Sequence, residues 1–249
     1  MQTQRAAHTS LVKFPRSTRS SSACGASMVD LTPIPLWRHP DLSFADKILN
    51  LIMYLISPLA SVPRDPTAVL RGRKGLSKYS ALGFDNEISS KNGWKQTLLK
   101  VPRGDGTELE VLLITRAEKR VDGKLDPLVL YFHGGAYTVG TNKDAHVAPL
   151  LGRLVNEFGT RAAYASVDYR LAPEHIAPAA ADDCELAFQF LSSHTEIAAA
   201  HGFDNTRIHI WGPSAGAGLA LVLGAAMCRR GERSRVASVF ADSPMLHPP

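Results

Sequence analysis

The sequence predicts an α/β fold, a mostly parallel sheet with helices on both faces. Three observations carry this. The run Leu128-Val129-Leu130-Tyr131-Phe132 is fully apolar rather than alternating, as a strand buried on both faces is, and Ala162 to Val167 reads as the next strand. Between the strand-like runs lie stretches whose apolar residues recur at spacings of three and four, the mark of a helix with one buried face. Finally, Ile208-His209-Ile210-Trp211 leads through the glycine-flanked corner Gly212-Pro213-Ser214-Ala215-Gly216 into a run of small residues, so that strand, sharp turn and helix follow without a break.

The 249 residues suffice for one large α/β domain with flanking segments. Hydrophobic residues make up 45% and charged residues 20%, ordinary for a globular chain. The formal net charge of +5 is unevenly placed. Arg5, Lys13, Arg16 and Arg19 stand in an acid-free start, and the rest is close to neutral, which argues against nucleic-acid binding. Cys24, Cys184 and Cys228 form no C-x-x-C pair and no disulfide framework, and there is no N-x-S/T sequon. Both fit a reducing compartment. The cytoplasm is the expected location, with membrane-associated and mitochondrial placements as alternatives.

Taken in order, residues 1–29 are Ser-, Thr- and Arg-rich and read as a basic tail without fixed structure. The same composition fits a mitochondrial transit peptide, though its helical amphipathic pattern is poor. Residues 30–92 read as an N-terminal cap, a helical segment and a linker. Within them, residues 45–62 are too short an apolar run to span a bilayer; a packed helix, or peripheral membrane contact, fits better. Residues 63–92 are polar, with the basic cluster Arg71, Arg73 and Lys74, and read as a connection.

Residues 93–249 read as the α/β domain, partial at its C-terminal side. Gln96 to Val101 and Glu108 to Thr115 are two expected strands around the turn Arg103-Gly104-Asp105-Gly106. The strand ending at Phe132 runs into His133-Gly134-Gly135-Ala136-Tyr137. From Asp144 to Phe158, Val147, Leu150, Leu151, Leu154, Val155 and Phe158 make one apolar helical face. The strand ending at Val167 leads into Asp168-Tyr169-Arg170-Leu171-Ala172-Pro173-Glu174-His175. A helix from about Ala179 to Ser192 follows. After the corner at Ser214, residues Ala215 through Met227 are apolar on all sides, as a buried helix is. Val236 to Ala241 is the last expected strand.

Two separated motifs point to one chemistry. When a serine oxygen attacks a carbonyl carbon, charge develops on the carbonyl oxygen. Backbone N–H groups must face that oxygen, and glycines let the main chain approach it. A serine on a tight strand-to-helix corner, facing a His-Gly-Gly loop, meets that need.

With these motifs the chain resembles the hormone-sensitive-lipase-like esterases of the α/β-hydrolase fold-3 family. The shared residues are His133-Gly134-Gly135, Asp168 to His175, Gly212 to Gly216, and Ser243-Pro244-Met245-Leu246, over about residues 128–246. The resemblance implies an α/β-hydrolase fold with N-terminal cap helices, and a serine carboxylic-ester hydrolase that works through an acyl-enzyme. It implies Ser214 as nucleophile, and the N–H groups of Gly134, Gly135 and Ala215, with Ala136 as a further candidate, as the oxyanion hole. It implies no cofactor and no metal, and a small-molecule ester as partner; it says nothing of oligomeric state. The segment from Asp168 to His175 is implied to be structural, and His133 a loop anchor rather than a base.

The chain departs from the family at Pro213, where an acid is usual, and at Ala136, where a third glycine is commoner. The family's acid and histidine follow the serine at a distance. Asp242 and His247 stand too close to match them, so the chain is expected to be incomplete and weakly active or inactive alone. An unpaired strand edge is expected to favour aggregation. The competing reading is a non-catalytic member of the fold that binds a small molecule in the same pocket.

Overall fold

The computed structural model describes residues 67, 69–70, 73, 81, 83–118, 120–144, 148, 151 and 161–244. All fall within the second of the chain's two units, Val62–Pro249. The basic tail, the segment 45–62 and most of the helix expected over 144–158 lie outside the described residues.

Six strands form one sheet: β1 (Trp94–Pro102), β2 (Glu108–Arg116), β3 (Asp126–Phe132), β4 (Ala163–Val167), β5 (Phe203–Pro213) and β6 (Val236–Asp242). Their order is β1-β2-β4-β3-β5-β6. The pairs β1/β2 and β2/β4 are antiparallel, and β4/β3, β3/β5 and β5/β6 are parallel. The sheet is therefore mostly parallel, and the α/β class is as the patterning says. Among the described residues, three α-helices have defined bounds: α1 (Ala179–Ser193), α2 (Thr195–His201) and α3 (Ala215–Arg229).

Both faces of the central strands are covered. On one face Leu128, Leu130 and Phe132 of β3, Ala165 and Val167 of β4, and Ile208 and Ile210 of β5 pack against Phe188 and Leu191 of α1 and Leu223 and Met227 of α3. On the other, Leu112, Ile114, Tyr131 and Tyr164 join Phe84, Trp94, Ala148 and Leu151. Alternate residues of β3 enter opposite cores because side chains alternate along a strand.

Three details differ from the sequence expectation. First, β5 begins at Phe203 rather than Ile208; its pairing with β3 shifts register between Pro127 and Leu128, and that bulge breaks the apolar pattern. Second, α2 was not expected, because seven residues are too few to show a helical period. Third, α3 is not buried all round. It buries Ala215 to Ala220, Leu223 and Met227, but Leu221 is 39% and Val222 53% exposed. As the expectation of an unpaired strand edge has it, β6 is last in the sheet order, so its apolar side chains have a neighbour on one side alone, and Phe240 is 61% exposed.

Candidate active site

The C-terminal ends of β3, β5 and β6 lie side by side, and the candidate residues gather there. Where β5 gives way to α3, Ser214 stands at φ +52° and ψ −115°, a conformation that side chains disfavour. Two hydrogen bonds pin it. Its N–H donates to the Asp242 carbonyl at 2.8 Å, and its carbonyl accepts from Gly218 N–H at 3.2 Å. The two glycines of the corner are required by space. A methyl group on Gly216 would come 2.0 Å from the Phe132 carbonyl oxygen, and one on Gly212 would come 2.5 Å from the Gly216 carbonyl carbon. The corner is tight because helix and strand backbones touch there.

The His133 loop crosses directly beside it. A methyl group on Gly134 would sit 3.8 Å from Ser214 Cβ. After Gly134 the chain turns sharply, with φ positive at Gly135 (+116°), Ala136 (+52°) and Tyr137 (+60°). The Gly135 carbonyl closes this turn, accepting from the N–H groups of Thr138 and Val139, each at 3.0 Å. Among the described residues no acceptor takes the N–H of Gly134, Gly135, Ala136 or Ala215. The N–H of Ala215 also lies at the positive end of α3. The structure thus brings Gly134 and the Ser214 corner together, with unpaired donors on both sides.

His133 itself is fully buried. Its ring stacks on Tyr169 at 4.1 Å, its Nδ1 lies 2.7 Å from the Gly134 carbonyl, and the Tyr169 hydroxyl donates to the His133 carbonyl at 2.6 Å. Burial pushes its pKa down to about 4, so the ring is neutral at pH 7. Among the described residues, no side chain hydrogen-bonds the Ser214 hydroxyl.

The segment from Asp168 to His175 packs behind the loop. Asp168 accepts from Asn142 N–H at 3.1 Å, and burial raises its carboxyl above the usual range. Arg170 and Arg103 both reach Asp183 of α1, which is 1% exposed at its side chain. Burial pushes Asp183 up, but hydrogen bonds from Arg103 and Arg170 outweigh it and hold the carboxyl low. Sequence reading missed Asp183, Asn142 and Gly140. The last stands at φ +115°, where a methyl group would come 2.1 Å from His133 Nδ1. A second glycine downstream of a His-Gly-Gly turn was the available signal for Gly140; the other two carry none.

Among the described residues no three His, Cys, Asp or Glu side chains are grouped to hold a metal ion. None of the described helices is long and apolar enough to cross a membrane.

Residues 129–248 match the profile of a family described as the alpha/beta hydrolase fold. The chain is 34% identical over 128 residues to Probable carboxylesterase 3 of Arabidopsis thaliana, covering 51% of this chain and 38% of that protein. It is 41% identical over 97 residues to Esterase LipI of Mycobacterium tuberculosis, covering 39% of this chain and 28% of that one. Among solved structures it resembles a hyperthermophilic esterase from Pyrobaculum calidifontis, with TM-score 0.57 and 29% identity over 76% of this chain and 55% of the other. It also resembles a bacterial heroin esterase, with TM-score 0.52 and 29% identity over 71% and 53%. The matches thus span well under two thirds of each relative's length.

Proposed function

We propose that the chain, which matches the alpha/beta hydrolase fold family over residues 129–248, is a member of the α/β-hydrolase fold-3 family and carries the nucleophile and oxyanion hole of a serine carboxylic-ester hydrolase. Ser214 is the nucleophile. The N–H groups of Gly134, Gly135 and Ala215, with Ala136 beside them, receive the developing oxyanion. The observation that carries this reading is the approach of Gly134 to within 3.8 Å, methyl to Cβ, of a serine held at positive φ.

The chemistry follows from the placement. Ser214 Oγ attacks the ester carbonyl carbon and gives its proton to a base. The carbonyl π electrons move to the oxygen, which the unpaired amides stabilise. The intermediate collapses, the carbon–oxygen bond to the alcohol breaks, and the alcohol leaves with a proton. Water then releases the acid from the acyl-serine by the same route. His133 is not the base: it is fully buried, and its Nδ1 is engaged with the Gly134 carbonyl. It anchors the loop.

The test uses p-nitrophenyl esters of short and medium acids together with a fluorophosphonate probe. Labelling at Ser214, lost in Ser214→Ala, is the expected result. The decisive case is a form of the protein that also supplies an acid and a histidine to Ser214: if that form neither labels nor hydrolyses, the proposal is sunk. One observation favours a second reading, a small-molecule binder: among the described residues the Ser214 hydroxyl has no hydrogen-bond partner. That reading expects no label, and thermal stabilisation by a ligand that Ser214→Ala leaves unchanged.

A further inference from the structure

Arg73 lies ahead of the sheet, in the stretch whose composition reads as a mere connection. Its side chain is 18% exposed and commits three nitrogens. Nε donates to the Thr138 carbonyl at 2.8 Å, Nη2 to the Ala172 carbonyl at 2.5 Å, and Nη1 to Glu174 Oε1 at 2.6 Å. One planar fork therefore joins the loop after β3 to the loop after β4.

What it joins matters. Thr138 ends the turn that starts at Gly135, and the three residues Gly135, Ala136 and Tyr137 all have positive φ. Two of these carry side chains, which disfavour such conformations unless the surroundings hold them. One bond already stitches the turn to its neighbour: Ala172 N–H donates to the Tyr137 carbonyl at 2.9 Å. Arg73 grips the next carbonyl along, and also the carbonyl of Ala172 itself. The strained turn is thus held at two successive carbonyls, and the amides of Gly134 and Gly135 stand immediately before it.

We infer that Arg73 is a positioning residue for the Gly134 and Gly135 amides: its guanidinium clamps the Gly135 turn to the segment around Ala172 and so fixes where those N–H groups point. This rests on the reading of those amides as oxyanion donors. Arg73 touches no reacting atom; it acts through the turn. A lysine cannot replace it fully, because one ammonium on a flexible stem does not hold two carbonyls and a carboxylate in one plane.

The experiment compares the full chain with Arg73→Ala and Arg73→Lys by two readouts. Amide hydrogen exchange reports the clamp without needing activity. In Arg73→Ala the hydrogen-bonded amides of Thr138, Val139 and Ala172 exchange about tenfold faster, while those of β3 and β5 keep their protection. Fluorophosphonate labelling reports positioning. The covalent rate constant falls about 10- to 100-fold while probe affinity stays within about twofold, and Arg73→Lys recovers part of the loss. Unchanged exchange at Thr138, Val139 and Ala172 overturns the clamp, and so does a loss of protection spread evenly through β3 and β5. Faster local exchange with an unchanged labelling rate overturns the positioning role. A wild-type form that also supplies an acid and a histidine to Ser214 and still takes no label overturns the serine-hydrolase reading instead, and exchange alone then decides whether the clamp exists.

Discussion

Gly216 of α3 and Phe132 of β3 touch backbone to backbone: a methyl group on Gly216 would come 2.0 Å from the Phe132 carbonyl oxygen. Neither atom can swing away, because one belongs to a central strand and the other to a helix seated on it. Gly216→Ala is therefore expected to cost roughly 3 kcal/mol or more, or to prevent folding. Gly134 differs. A methyl group there meets the Pro213 carbonyl oxygen at 3.4 Å and Ser214 Cβ at 3.8 Å. Gly134→Ala is expected to fold with a loss of about 1 kcal/mol or less, yet to slow fluorophosphonate labelling by crowding the space over the serine. Urea unfolding and labelling kinetics on the two variants check the contrast.

Ser214 holds φ +52° and ψ −115°, which glycine accepts more easily than serine. Ser214→Gly is expected to raise stability by about 1 kcal/mol and to abolish labelling. Ser214→Ala abolishes labelling without that gain, since its Cβ keeps the strain. A difference between the two unfolding midpoints reads the strain directly. Equal midpoints would show that the corner is relaxed.

Asp183 sits between Arg103 and Arg170 and also accepts the Arg170 backbone N–H at 2.9 Å. Asp183→Asn is expected to cost about 3 kcal/mol, because two guanidiniums lose their counter-charge. Its carboxyl is held below the ordinary carboxylate value, so its contribution is present above about pH 4 and fades as the pH falls through the lower folded value. Denaturant midpoints of the wild type should fall more steeply than those of Asp183→Asn below pH 4.

His133 is buried neutral with its pKa pushed down to about 4. Unfolded, the ring takes its proton near pH 6.5, so the unfolded state binds more protons between those values. The neutral ring's full contribution is present above pH 6.5 and is lost as the pH falls to about 4, about 3 kcal/mol in all. In an NMR titration the His133 ring resonance should stay constant from pH 8 to 5. A midpoint near 6.5 would mean that water reaches the ring.

Phe240 is 61% exposed on the edge strand β6, with its ring 6.4 Å from that of Trp211. An apolar edge invites pairing between copies. Phe240→Lys is expected to lower light scattering at high concentration while changing unfolding free energy by about 1 kcal/mol or less. Unchanged scattering would locate the association elsewhere.

How much of this was legible in the chain depends on range. His133-Gly134-Gly135 and the Ser214 corner are local patterns, because each is a strand end followed by a turn that only certain residues can make. Their partners are not local. Arg73 bonds Thr138 across 65 positions, and Arg103 bonds Asp183 across 80. An arginine in a polar stretch looks the same whether it grips a loop or waves in water. The exposed side of α3 misled for a similar reason: an all-apolar helix reads as buried on every side, whatever neighbours it proves to have.

Taken alone, the amino-acid order determined which segments are strands, where the serine corner forms and which glycines flank it, since backbone sterics and side-chain period act within a few residues. Only the tertiary structure decided that β3 lies next to β5, and hence that Gly134 lies over Ser214. It also decided that Asp242 takes the Ser214 N–H, and that Arg73 holds the Gly135 turn. Those contacts join parts of the chain that no short-range rule relates. They exist because burying both faces of the central strands brings those strand ends together.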